Sequence, residues 1–183
     1  MENNIKNKTK IFSIRDLCYI GIFTAIISVC AQIQIPMPLG VPLTLQTLAI
    51  MLAGFILGIK KGFFTILVYI LLGSFGAPVF SSFSGGLGIV FGRTGGFILT
   101  FPFLVLAAGI ASVKDNRIWS AVWLLFGFIV NFTGGVLMFS YVMSMTLPVS
   151  FVYAAAPFIP TELLKITLIV VFGKKIKNSV LRR

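Results

Sequence analysis

Long apolar runs that alternate with short basic segments constrain this chain more than any other feature. The runs lie at 14–35, 42–59, 62–76, 94–113, 117–141 and 152–173. A helix rises about 1.5 Å per residue and a hydrocarbon core is about 30 Å thick, so most of these runs can approach or span a bilayer as helices. Of the 183 residues, 58% are hydrophobic and 10% charged, and the mean hydropathy is +1.06. A water-soluble domain of this size has too small an interior to hide that much apolar surface. The expected fold is an all-α integral membrane protein, a compact bundle of six transmembrane helices forming a single membrane domain over 1–183. The third run is short. Its fifteen residues rise about 22 Å, so it must thin the bilayer, recruit neighbours such as Leu57–Ile59, or end in broken structure.

Charge placement orients the bundle. Lys6, Lys8, Lys10 and Arg15 lie around the start of the first run, Lys60 and Lys61 between the second and third, and Lys114 and Arg117 between the fourth and fifth. Lys174, Lys175, Lys177, Arg182 and Arg183 follow the sixth. The intervening connections 36–41 and 147–151 carry no charge, and 77–93 carries only Arg93. Short basic loops stay on the cytoplasmic side. Both termini are therefore expected inside, with 1–13 a basic cytoplasmic segment and 174–183 a basic cytoplasmic tail; Ser82 and Ser150 are expected within reach of the outside or an outward cavity. The net charge of +11 fits anionic lipids as partners rather than nucleic acid, because the basic residues flank membrane runs without interleaved aromatics or a base-reading helix.

Little here supports covalent, redox or metal chemistry. Cys18 and Cys30 fall twelve residues apart in or beside one helix, about 18 Å, too far to bridge. With no histidine and four acids, neither a metal cluster nor an acid–base pair is readily assembled, and no enzyme activity or intrinsic cofactor is expected. The first run continues past Ala31 without a small-residue processing site, so no cleaved leader is expected.

Five places stand out against this apolar background. In the first run Gly21 and Ala25 share a face, with Ser28 near it; small residues at that spacing let another helix approach closely, whether a neighbour in the bundle or a second subunit. The segment 77–93 holds Val79, Phe80, Phe83, Leu87, Ile89, Val90 and Phe91 among glycines. Such a segment is expected to fold back as an outer cap or re-entrant loop, since irregular backbone at membrane depth needs protein or a cavity to satisfy it. In the last run Pro160 suits an early helical position, Glu162 lies in the first turn, and Lys165 follows three residues later on the same face. Two charges in one apolar run cost roughly 2.5–3.5 kcal/mol each at a helix centre, so they imply a mutual pair, a ligand, or both. Thr44, Gln46 and Thr47 open the second run and Asn131 interrupts the fifth; each group can face a cavity or tie helices together.

The run Val41-Pro42-Leu43-Thr44-Leu45-Gln46-Thr47-Leu48, then Leu52-Ala53-Gly54 and Leu57-Gly58, resembles the BioY family of biotin-binding subunits of energy-coupling factor transporters. So do 69–80 (YILLGSFGAPVF), the pair Gly85-Gly86, Gly92-Arg93-Thr94-Gly95-Gly96-Phe97 and Phe158-Ile159-Pro160-Thr161-Glu162-Leu163-Leu164-Lys165. The resemblance covers nearly the whole chain. It implies a prokaryotic cell-membrane protein of six helices, an outward biotin pocket capped by loops, and docking onto a transmembrane coupling subunit driven by two ATP-binding subunits.

The chain departs from the family pattern within both of these last motifs. Arg93 stands where the family's Gly-Pro-Thr-Gly-Gly-Tyr motif has proline, and Thr161-Glu162 stand where it has Gly-Asp. The resemblance thus implies a ligand site drawn from Glu162, Lys165, Arg93, Asn131, Gln46 and Thr44 for polar contacts, and Phe80, Phe83, Phe91 and Phe97 for apolar walls. Lys165 and Arg93 are alternative partners for the biotin carboxylate, and Gly21 and Ala25 become the candidate partner-docking face. A related small anionic or ureido-containing ligand is a second reading, and a structural or assembly membrane protein a third.

Overall fold

The computed structural model describes residues 12–37 and 41–181. Residues 1–11 of the basic N-terminal segment, and Arg182 and Arg183 of the tail, lie outside the described residues. The helices are α1 (Ile14–Gln32), α2 (Gln46–Ser74), α3 (Leu87–Val90), α4 (Gly95–Ala111), α5 (Arg117–Met143), α6 (Leu147–Ala154) and α7 (Ile159–Leu181). Strands β1 (Gln34–Ile35) and β2 (Leu43–Thr44) pair antiparallel between α1 and α2, a small departure from an all-α chain.

Local chemistry sets the boundaries. Ser13 and Asp16 form a reciprocal capping box at the start of α1, satisfying backbone N–H groups that the helix itself leaves orphaned. Asn116 does the same for α5 by accepting from the N–H groups of Ile118 and Trp119. The entry to the final apolar run is irregular, as Pro157 leads one to expect. The run is broken into α6, a 3-10 turn at Ala156–Phe158 and α7. Pro157 and Pro160 explain the break, because proline is tolerated in a first turn but not in a helix interior. Ser150, expected in an accessible outer connection, is instead fully buried in α6 with its hydroxyl unpartnered.

Two antiparallel arms make up α2. At Gly58 the backbone has φ 78° and ψ −179°, a region only glycine occupies without strain. A straight helix would hold Gln46 and Tyr69 about 34 Å apart, yet Gln46 Nε2 donates to the Tyr69 hydroxyl at 2.8 Å. The run therefore reverses at Gly58, and the arms 46–57 and 59–74 pack against each other. The second and third apolar runs are thereby recovered as separate helices, the third lengthened by Ile59–Lys61.

The core joins Ile50 and Met51 of the first arm, Ile66 and Tyr69 of the second, Leu104 and Val105 of α4, Leu124 of α5 and Ile169 of α7. The outer surface is itself apolar. Leu17, Ile22, Phe103, Ile118, Val122 and Phe126 are all exposed, a surface matched to lipid rather than water. Among the described residues, four helical runs, Ile14–Gln32, Gln46–Ser74, Arg117–Met143 and Leu147–Val180, are long and apolar enough to cross a membrane, and the 17-residue α4 is a shorter apolar helix. The protein is an all-α membrane bundle with several long apolar helices.

The two ends of the bundle differ. One gathers the basic residues: Lys61 pairs with Asp16 at 3.0 Å, and Lys174 pairs with Asp115. At the other end the first turns of α2, α4 and α7 come together around a cavity.

Candidate binding site

Each of the three helices presents its first turn to this cavity. Thr44, Gln46 and Thr47 line it from α2 and the strand before it, Phe97 and Ile98 from α4 with Thr94 at its N-cap, and Glu162 from α7 with Phe158 from the 3-10 turn before it. Helix N-termini carry partial positive charge from unpaired N–H groups, so their convergence favours a negatively charged or strongly accepting occupant. Phe80, Ser81 and Ile89 close one side and Phe132 of α5 another. The enclosed volume is about 70 Å³, well below the ~300 Å³ at the lower end for ligand pockets.

The polar wall is a buried ion pair with a hydroxyl between helices. Glu162 is 4% exposed and Lys165 5%. Glu162 Oε1 accepts from the Thr47 hydroxyl at 2.7 Å and from Lys165 Nζ at 2.5 Å. Lys165 Nζ also donates to the Thr44 carbonyl at 2.7 Å and the Thr47 hydroxyl oxygen at 2.8 Å. An ammonium has three N–H groups, and these three acceptors occupy them. Glu162 lines the cavity whereas Lys165 is not among its lining residues; the lysine stands behind the carboxylate. A lone charge here would be costly to bury, and the pair with its hydrogen bonds offsets that cost.

The segment 77–93 is fastened by side chains from three other elements, one of them Gln34 of β1, which donates to the Ser82 hydroxyl at 2.8 Å. Gln32, the last residue of α1, donates to the Phe80 carbonyl at 3.0 Å and accepts from the Phe83 N–H at 2.8 Å. The Tyr69 hydroxyl, held by Gln46, donates to the Val79 carbonyl at 2.9 Å. These contacts seat the Phe80 ring edge-on to Tyr69, with centroids 5.5 Å apart, and over Gly73, where any Cβ would collide with the ring.

The remaining expected residues divide. Gln46, Thr44, Phe80, Phe97 and Glu162 meet at the cavity. Phe83 and Phe91 do not, being 72% and 66% exposed; left-handed backbone at Ser82 and Phe83, φ 59° and 51°, turns the chain there. Arg93 is exposed and lines a neighbouring cleft of about 430 Å³, which shares Pro42, Ser81, Ile89 and Thr94 with the cavity as a common wall. Asn131 is buried but is not among the cavity's lining residues: its amide donates to the Phe97 carbonyl and the Thr100 hydroxyl, both at 2.9 Å, tying α5 to α4. Gly21 and Ala25 face outward, and a Cβ on Gly21 would meet nothing within 4 Å. That excludes close packing inside the bundle as the reason for Gly21.

Thr47 was visible in sequence only as one of several hydroxyls; its contact with both charges depends on α2 and α7 meeting. Gln32 and Tyr69 carried a weak signal, a polar group at the end or in the middle of an apolar run.

Residues 3–182 match the family model for the BioY family. The chain is 33% identical over 165 residues to the probable biotin transporter BioY of Pyrococcus horikoshii, covering 90% of this chain and 98% of that one. It is 33% identical over 167 residues to the biotin transporter BioY2 of Lactococcus lactis subsp. cremoris, with 90% of each covered. Its fold is similar to the crystal structure of the S-component for biotin from an ECF-type ABC transporter, with a TM-score of 0.79 and 27% identity, over 89% of this chain and 90% of that one.

Proposed function

The chain belongs to the BioY family, and we propose that it is the high-affinity biotin-capture subunit of an ATP-driven energy-coupling factor transporter. It is a transport subunit and not an enzyme. Nucleotide hydrolysis belongs to two ATP-binding partner subunits, joined to this chain through a transmembrane coupling subunit that docks on the outward face at Gly21 and Ala25. The bundle crosses the prokaryotic cell membrane six times with both termini cytoplasmic, the two arms of α2 counting as separate crossings. The cavity then opens outward.

The observation that carries this reading is a buried carboxylate held at the cavity wall. Biotin's ureido ring offers two N–H donors and one carbonyl, and Glu162 supplies an acceptor whose charge strengthens the bond. Thr47 and Lys165 fix its Oε1. Because the Lys165 donors are engaged, its role is to position Glu162 rather than to touch the ligand. Gln46 and Thr44 complete the polar wall, and Phe80, Phe97, Phe132 and Phe158 offer apolar surface to the thioether ring and valeryl chain. Arg93, in the adjoining cleft, is the partner for the biotin carboxylate. In that pose the ligand passes between the cavity and the cleft through the wall formed by Ser81 and Ile89. The small cavity volume supports a further step: the segment 77–93 acts as a cap that shifts to admit biotin and closes over it.

Titration of detergent-purified protein with biotin tests this reading. Saturable binding is expected, with competition by desthiobiotin, which keeps the ureido ring and carboxylate, and none by thiamine. Absence of saturable biotin binding, or equal competition by thiamine, overturns it.

A further inference from the structure

A second cleft lies at the opposite end of the bundle from the cavity, between the α4–α5 connection and the last turns of α7. It has a volume of about 410 Å³ and is lined by Lys114, Arg117, Lys174 and Lys177, with Asp115 the one acid among its lining residues. Asp115 is already paired with Lys174. Lys177 is half-buried, and its described contacts are neutral: Nζ lies 3.1 Å from the Ser112 hydroxyl oxygen, 3.4 Å from the Ser112 carbonyl and 6.0 Å over the Phe55 ring. Lys114 sits 4.1 Å from the centroid of Trp119, an aromatic of the kind that lies at membrane–water interfaces. Phe55, Val170 and Val171 give the cleft apolar walls beside its cations.

A half-buried ammonium with only neutral partners, flanked by Arg117 and by the N-terminus of α5, is an incomplete electrostatic arrangement; it lacks an anion. The apolar walls restrict what that anion is attached to. We propose that this cleft binds a phosphate-bearing anion, the headgroup of an anionic phospholipid, with its phosphate between Lys177 and Arg117 and its acyl chains along Val170 and Val171. Basic pockets between helices at a membrane interface recognise headgroups by this chemistry. The inference is independent of what occupies the cavity at the other end.

The test is native mass spectrometry of the full chain in detergent, titrated with phosphatidylglycerol or phosphatidylcholine, with inorganic phosphate as a competitor. Wild type is expected to retain phosphatidylglycerol about tenfold better than phosphatidylcholine, the order of one charge-assisted contact. The Arg117→Gln/Lys177→Gln double variant loses that preference. Lys60→Gln/Lys175→Gln, which removes the same charge outside the cleft, keeps it. Phosphatidylglycerol retention unmoved by millimolar inorganic phosphate assigns the site to lipid; displacement assigns it to free phosphate and overturns the lipid half of the proposal. Equal loss in both double variants, or no preference in wild type, overturns the site itself. Should the cleft double variant unfold, Lys177→Gln alone serves, with an expected loss of about threefold and wild-type retention as the contrary result.

Discussion

Replacing Lys165 and Arg93 separately distinguishes their two roles. Lys165 is buried, with its ammonium on Glu162, Thr47 and the Thr44 carbonyl. In Lys165→Met the chain length is kept but Glu162 loses its counter-charge. Removing one partner of a buried pair costs about 3–5 kcal/mol, which for a domain of this size lowers the unfolding temperature by roughly 6–20 °C. The carboxylate also loses its positioning, so the hydrogen bond it makes to a ureido N–H, about 1.5–3 kcal/mol for a charged acceptor, is weakened or lost. That corresponds to a 10–150-fold weaker affinity at most, of about the same size for biotin and for biotin amide. Arg93→Gln acts differently. The side chain is exposed, so its pairing with a carboxylate contributes at most about 1 kcal/mol. Affinity for biotin should fall by about fivefold, with biotin amide hardly changed. Calorimetric titration of both variants with both ligands, alongside unfolding temperatures, gives the comparison. A Lys165→Met loss much larger for biotin than for the amide would refute the positioning role, because it would place the ammonium on the ligand carboxylate.

Further expectations concern the acceptor, the topology, the reversal in α2 and the docking face. Glu162→Ala should weaken biotin binding about 10–150-fold and also destabilise the protein by orphaning Lys165; wild-type affinity in a folded sample moves recognition to Gln46 and Arg93. On a background lacking Cys18 and Cys30, single cysteines at 61 and 114 should resist a membrane-impermeant thiol reagent in intact cells while one at 82 reacts; strong labelling at 61 or 114 contradicts the orientation. Gly58→Ala should destabilise the fold by about 1–3 kcal/mol although a Cβ there meets nothing within 4 Å, since the cost is backbone conformation alone; an unchanged unfolding temperature contradicts it. Gly21→Leu with Ala25→Leu should reduce co-purification with the coupling subunit and leave biotin affinity of the isolated chain within a few-fold, and the reverse pattern would show the face serves the bundle.

Hydropathy and charge made much of the architecture legible, because in lipid the helical runs must be continuous and apolar and their ends carry the cations. The Lys60–Lys61 pair marked the turn in α2 that Gly58 executes. Likewise the spacing of Glu162 and Lys165 placed them on one helix face, and their burial required them to be paired. Sequence fell short wherever contacts cross between elements. Nothing local distinguishes Phe80, seated on Gly73, from Phe83, which left-handed backbone turns outward. Periodicity has no meaning in such a segment, so inward and outward phenylalanines cannot be sorted by spacing. The same limit hid the third partner of Lys165, a backbone carbonyl 121 residues away, and with it the reason the lysine stands behind Glu162. Asn131 is polar and buried because it ties α5 to α4, which in sequence looks no different from a pocket residue.

The most direct test of the account is an experimental structure of the biotin-loaded protein. A ureido N–H within hydrogen-bond reach of Glu162 is expected, about 2.7–3.2 Å between heavy atoms, with Lys165 still on Thr44 and Thr47, the carboxylate beside Arg93, and the 77–93 segment displaced from its present position. Biotin bound the other way round, with its carboxylate on Lys165 and its ureido ring in the outer cleft, would contradict it.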